Sequence, residues 1–389
     1  MTTTTTIPNL GSSQGANPVK SLLAFGQSPW LDFIQRNILL NGELKRLIDE
    51  DGLRGMTSNP AIFEKAINGG STDYNDILSS PEAKTLNAKG VYEKIAIRDV
   101  QDAADLFKQV YEESKHRDGY VSLEVSPTLA NNTKDTIEEA RRLWKTVNRP
   151  NVMIKVPATP EGVPAIRQLI EDGININVTL LFAQSAYEQV AEAFIAGLEA
   201  RAAKGQEISN IASVASFFVS RIDTLIDGKI DELLKTADDA KKSLLKSLQG
   251  KVAIANAKLT YRKYQEIYGA ARWKTLLAKG AQPQRLLWAS TSTKNKAYRD
   301  VIYVEELIGA ETVDTIPPAT FDAFREHGKL RNSLTENVDA AQKTMDDLAK
   351  SGISMKEVTE KLVVDGVKLF ADAFVKLLDA TGKSAGVKA

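Results

Sequence analysis

Residues 131–157 read NNTKDTIEEARRLWKTVNRPNVMIKVP, an amphipathic helical segment running into a short apolar strand. The helical part opens on Asn and Thr residues suited to capping and sets Ile137, Ala140 and Leu143 at helical spacing. The strand part, Val152–Pro157, puts Met153 and Lys155 on one face and Val152, Ile154 and Val156 on the other. Apolar residues dominate both faces, which is the pattern of a parallel strand covered on two sides. Lys155 is the exception.

The same alternation extends in both directions. Strand-like runs occur at Trp30–Ile34, Gly55–Asn59, Tyr120–Ser126, Ile174–Phe182, Ile211–Val219, Arg285–Ser290 and Thr312–Ile316, with helical segments such as DVQDAADLFKQVYEESK (99–115) between them. Eight strands alternating with helices predict an α/β fold, a (β/α)8 TIM barrel. A doubly wound open sheet is the alternative, but no glycine-rich dinucleotide fingerprint follows the first strand. The stretch from Arg221 to Ala278 is longer than one barrel helix requires, and residues 335–380 read as two more helices. The expected organisation is one barrel domain over residues 21–380, with additional helices after strand 6 and at the C-terminus. Residues 1–20, rich in Thr, Ser and Gly, read as a flexible tail, and 381–389 as a frayed one.

Composition narrows the chemistry. Fifty basic residues balance fifty acidic ones among 389, so the excess cation that nucleic-acid binding draws on is missing. There is no cysteine, and His116 and His327 are the only histidines, which argues against thiolate or histidine-based metal sites and a Ser-His-Asp triad. No apolar run reaches the roughly 20 residues that span a bilayer, and the N-terminus lacks a signal-peptide pattern. The expectation is a cytoplasmic protein whose acid–base chemistry runs on carboxylates, lysine, hydroxyls or water.

In a β/α barrel, chemistry sits at the C-terminal ends of the strands, so polar residues there are informative. A lysine within VMIKVP is costly to bury as an ammonium, and the neutral amine carries a lone pair that can attack a carbonyl. An ion-paired structural lysine, bonded to Glu124, is the competing reading, and the strand alone leaves both open. Glu124, in VSLEVSP, can pass protons directly or through a water. Asp32, in WLDFI, is a second carboxylate at a strand end. Asn59 and Thr179 can hold hydroxyls or orient a water. Arg221 and Lys294 follow the sixth and seventh strands, where barrels commonly bind phosphate.

The ordered set SPWLDFI, GMTSNPAIFEKAI, VSLEVSPTLA, NVMIKVPATPEGVPAI, INVTLLFAQSAY, ASVASFFVSRIDTLID, LLWASTSTKN and TVDTIPPAT, from about Ser28 to about Gly328, resembles the longer bacterial type of the transaldolase family. The resemblance implies a transferase of the pentose phosphate pathway that needs no metal or other cofactor. It would pass a dihydroxyacetone unit from a ketose phosphate (sedoheptulose 7-phosphate or fructose 6-phosphate) to an aldose phosphate (glyceraldehyde 3-phosphate or erythrose 4-phosphate). By motif, Lys155 would form the Schiff base. Glu124 would act through a water held by Thr179. Asp32 would move the proton of the hydroxyl at the breaking bond. Asn59 would hold the three-carbon unit with Ser216 nearby, and Arg221, Lys294 and Ser292 would bind phosphate. Where many members have Arg, this chain has Lys294, a point charge without a bidentate fork; Ser290 or Ser292 can be the serine that faces the site. Phe218 stands where similar fructose-6-phosphate aldolases have a tyrosine that helps release free dihydroxyacetone, and phenylalanine has no proton to give. A lyase releasing dihydroxyacetone and a non-catalytic sugar-phosphate-binding barrel are the alternatives. The expected partners are small sugar phosphates, with neither nucleic acid nor membrane, and a homodimer is compatible with the sequence.

Overall fold

The computed structural model describes residues 17–68 and 72–388. Eight strands close into a parallel barrel in chain order: β1 (Gln27–Asp32), β2 (Gly55–Thr57), β3 (Tyr120–Glu124), β4 (Val152–Pro157), β5 (Ile176–Leu181), β6 (Ser213–Phe218), β7 (Arg285–Ala289) and β8 (Thr312–Ile316). The circle closes where β8 pairs with β1. β4 and β8 have the ends expected from sequence, because turn-forming residues bound their apolar runs. β1 instead begins at Gln27, three residues before Trp30. Gln27, Ser28 and Pro29 have little strand propensity of their own, but each lies in register with β8. The Gln27 amide also donates to the Leu307 carbonyl and the Thr312 hydroxyl.

Alternation along the strands sorts the interior into layers. On β1, Ser28, Trp30 and Asp32 share one face, from the bottom of the barrel to its mouth. Trp30 is fully buried and occupies the middle. Gly55 on the neighbouring strand has to be glycine there, since a Cβ would stand 2.4 Å from the indole ring. Bonds between non-adjacent strands also mark the interior: Arg285 on β7 donates to Ser28 on β1, and Asn177 on β5 donates to Ser122 on β3.

The stretch from Arg221 to Ala278 is divided among helices Ser220–Leu234, Asp239–Leu248, Val252–Gly269 and Ala271–Leu277. The chain turns at Gly250, between the second and third of these helices, in a left-handed conformation at φ +67°. The two C-terminal helices are Val338–Ser351, packed on Val252–Gly269, and Met355–Ala385, packed on Pro60–Asn68 and Ala88–Leu106. Among the described residues, no helix is long and apolar enough to cross a membrane.

Both ends depart from the expected tails. Residues 1–16 lie outside the described residues, but Asn17 caps a helix at Pro18–Ser21 and donates to Asp51, and Val19 is fully buried. At the other end the helix continues to Ala385, itself buried, and the Lys388 carbonyl accepts from the Ala88 amide. The small residues of the terminal segment let its backbone approach and satisfy an N–H at the start of the Ala88–Leu106 helix, a partner that no local pattern reveals.

Candidate active site

A cavity of about 510 Å³ opens at the C-terminal ends of the strands. Its wall brings together Asp32, Asn59, Lys155, Ser216, Phe218, Arg221, Ser292 and Lys294. Glu124 and Thr179, the other two residues singled out from sequence, are buried beside it rather than on the wall.

Lys155 is only 5% exposed. Its amine donates to the Ser58 carbonyl at 3.2 Å and stands 3.7 Å from Glu124 Oε2. The pair follows from register, since Glu124 on β3 lies directly beside Lys155 on β4. Burial drives the Glu124 carboxyl up to about 7, against the opposing pull of the Lys155 charge. A carboxyl balanced near neutrality can both give and take a proton. Among the described residues, Glu124 Oε2 and Thr179 Oγ1 are each buried without a hydrogen-bond partner, which suits a polar group arriving between strands, such as a water.

Asp32 sits at the mouth on β1. Its pKa is raised by burial, and Lys155, the Thr57 hydroxyl and Arg221 counteract that rise. Thr57 donates to Asp32 Oδ1 at 2.7 Å and contacts Thr315 Oγ1 at the same distance. Because Thr57 has a single hydroxyl proton, its bond to Asp32 makes Thr315 the donor in the second contact. The two carboxyls therefore occupy different surroundings, Glu124 buried between strands beside the amine and Asp32 on the cavity wall under a hydroxyl chain.

Asn59 has one acceptor position committed already, since its Oδ1 accepts the Ile62 amide and caps the helix Pro60–Asn68. Its amide donors remain for a ligand. Ser216 donates to Asn177 Oδ1 at 2.7 Å, so its oxygen can accept from a ligand hydroxyl.

Arg221 forms no ion pair with a carboxylate among the described residues. Its guanidinium instead lies 5.2 Å from the Phe218 ring centroid and 5.8 Å from that of Phe370. Lys294 donates to Ser292 Oγ at 2.9 Å, and its pKa is lowered by burial and then by the charges of Arg221 and Lys65. Three crowded cations, none of them ion-paired among the described residues, form a site for an anionic group. Ser290 and Ser292 both line the cavity just past the end of β7, where Ser290 is left-handed at φ +57°, while Thr291 between them donates to Asp314 at 3.1 Å.

Sequence reasoning missed several lining or supporting residues. Thr57, Thr315 and Asn177 were ordinary strand polar residues until their bonds were seen. Lys65 lines the cavity from the helix after Asn59. Its spacing from Ala61 and Ile62, which line the same wall, was a usable helical signal. Phe370 arrives from the C-terminal helix, 50 residues past the last barrel segment singled out, and nothing local pointed to it.

A family model described as Transaldolase/Fructose-6-phosphate aldolase matches residues 29–381. A transaldolase of Trichodesmium erythraeum is 51% identical over 358 residues, covering 91% of this chain and 94% of its own. Transaldolase 2 of Nostoc punctiforme is 46% identical over 368 residues, 94% of this chain and 96% of its own. A transaldolase of Parafrankia sp. is 43% identical over 372 residues, 95% and 99% respectively.

Proposed function

The chain belongs to the transaldolase/fructose-6-phosphate aldolase family and is an enzyme of the transaldolase type, and on that premise we propose how its residues divide the reaction. Lys155 Nζ attacks the ketone carbon of a ketose phosphate. Glu124, through a water held by Thr179, passes a proton from the attacking nitrogen to the carbonyl oxygen and then delivers a second proton, taken up from solvent, to the resulting hydroxyl, so that water leaves and an iminium forms with net uptake of one proton. Asp32 then removes the proton of the hydroxyl on the far carbon of the bond to be broken, the carbon that becomes the aldehyde. The electrons of that carbon–carbon bond move into the iminium and leave an enamine, and the shortened aldose departs. An acceptor aldehyde enters, the enamine carbon attacks it, and Asp32 gives the proton to the new alkoxide. Hydrolysis of the product iminium frees Lys155. The iminium serves as the electron sink throughout.

Arg221, Lys294, Ser292 and the neighbouring Lys65 bind the phosphate of donor and acceptor. Asn59 and Ser216 hold the hydroxyls of the three-carbon unit. The observation that carries this assignment is the near-buried Lys155 amine flanked by two carboxyls in contrasting surroundings, one of them pushed to about 7. Phe218 on the cavity wall offers the enamine no proton, which supports transfer over release of dihydroxyacetone. A cytoplasmic location belongs to the same proposal, supported by phosphorylated metabolites as substrates.

Borohydride reduction in the presence of fructose 6-phosphate, followed by peptide mass spectrometry, tests the scheme. A reduced three-carbon adduct on Lys155 is expected, and none in Lys155→Ala. An adduct on another lysine, or none in the wild type, would sink it.

A further inference from the structure

The helix Met355–Ala385 supplies a side chain to the site that the division of labour above does not use. Phe370 lines the cavity and is 9% exposed. Its ring centroid lies 5.9 Å from Lys155 Nζ and 5.8 Å from Arg221 Cζ, so one ring borders both the reacting amine and a phosphate-binding cation. The Phe218 ring centroid lies 5.2 Å from the same guanidinium carbon, so Arg221 borders two aromatic rings. Phe218 itself packs on Phe182 at 5.3 Å.

The position of Phe370 is set by two further contacts of its helix. One turn earlier, Gly366 meets Leu180, and a Cβ there would come within 2.9 Å of Leu180 Cδ2. Leu180 has φ +60°, a left-handed backbone that leucine rarely adopts, where the register between β5 and β6 shifts. The kink falls immediately after Thr179 and turns Leu180 towards the helix. One turn later, Phe374 packs edge-on against Tyr92 at 5.7 Å. Local backbone strain on one side and an aromatic contact on the other fix the ring between them.

We propose that Phe370 is a specificity-determining residue: its ring keeps water off the enamine on Lys155, so that the three-carbon unit passes to an acceptor aldehyde instead of being released. The inference rests on the Schiff-base reading of Lys155. In the competing path the enamine carbon takes a proton, water adds to the resulting iminium carbon, and the carbon–nitrogen bond breaks. Free dihydroxyacetone leaves, Lys155 is regenerated, and one water is consumed. The first step needs a proton donor at the enamine carbon. Phe218 and Phe370 face that region with rings that have none, while the water used in making and hydrolysing the iminium is handled at Glu124. The same ring gives Arg221 an electron-rich face in place of a carboxylate, which leaves the guanidinium's donors for phosphate.

The test is the ratio of dihydroxyacetone released to dihydroxyacetone transferred, measured with fructose 6-phosphate as donor and a saturating acceptor. A ratio of products is independent of the fraction of enzyme that is folded, so a destabilised variant still reports. Phe370→Ala is expected to raise the ratio at least about tenfold, and Phe370→Leu, which keeps a dry side chain, less than about threefold. Both variants should raise KM for fructose 6-phosphate several-fold but leave KM for unphosphorylated fructose unchanged, since only the phosphate uses Arg221. A ratio in Phe370→Ala within twofold of wild type overturns the proposal, as does an equal rise in Ala and Leu variants. Failure of the underlying reading would be distinct: the wild type itself would give no borohydride adduct on Lys155.

Discussion

The two ends of the barrel both bury charge, and they treat it in opposite ways. At the bottom, Arg285 donates to Ser28 and Asp118 at 2.8 Å each and also to the Arg117 carbonyl. Ser28 in turn donates to the second oxygen of Asp118. The group is closed, with donor and acceptor matched. At the mouth, Lys155 and Glu124 stand 3.7 Å apart, Glu124 Oε2 has no protein hydrogen bond, and Arg221 rests on rings. Charges of the bottom layer hold strands together, and those of the mouth are left partly unsatisfied for a ligand. The contrast fits a barrel whose top face reacts and whose bottom face stabilises.

Substitutions at each end should therefore separate activity from stability. Lys155→Ala should abolish the nucleophile and lower kcat by about 10⁴-fold or more, with a thermal midpoint close to wild type by circular dichroism. A large fall in that midpoint would make Lys155 structural like Arg285. Arg285→Met should do the reverse, leaving Asp118 buried without its cation and costing about 3–5 kcal/mol in denaturant unfolding. The kcat per folded molecule should stay within about twofold, because Arg285 is far from any reacting group in this scheme.

Glu124→Gln probes the mouth more finely and should lower kcat by about 10²–10³-fold. The pH profile carries the sign. With its pKa raised to about 7, the Glu124 carboxyl is protonated below that pH and ionised above it. As the base for attack by Lys155 it must be ionised, so kcat/KM for the donor should fall as pH drops through about 7. That limb should vanish in the Gln variant; its persistence would assign it to another group. The smallest effect is expected at the rim, where Lys65→Gln should raise KM for fructose 6-phosphate about three- to tenfold with kcat unchanged. The difference from wild type should shrink with added salt, since Lys65 is exposed.

Much of the mouth was legible because polar residues in apolar strands are conspicuous. Lys155, Glu124 and Asp32 stood out one by one, and their order along the chain matched a family. Lys65, Thr57, Thr315 and Asn177 did not, since a lysine on a helix or a threonine in a strand is unremarkable until its neighbours are known. Gln27 and Ser28 escaped the strand assignment for a related reason: their extended conformation comes from pairing with β8, not from local preference. Within the expected tails, residues 17–20 and 381–388 have partners that local preference does not reveal, such as the contact between Ala88 and Lys388.

The sequence by itself determined the eightfold alternation of strand and helix, the inward face of β4 and the unusual lysine on it, because these depend on periodicity and on the cost of burying an ammonium. Only the tertiary structure decided that Glu124 lies beside Lys155, that both Ser290 and Ser292 reach the cavity, and that Phe370 closes its side. Those depend on strand register and on where a distant helix docks, and both arise from packing between segments whose separation in sequence carries no trace of their contact.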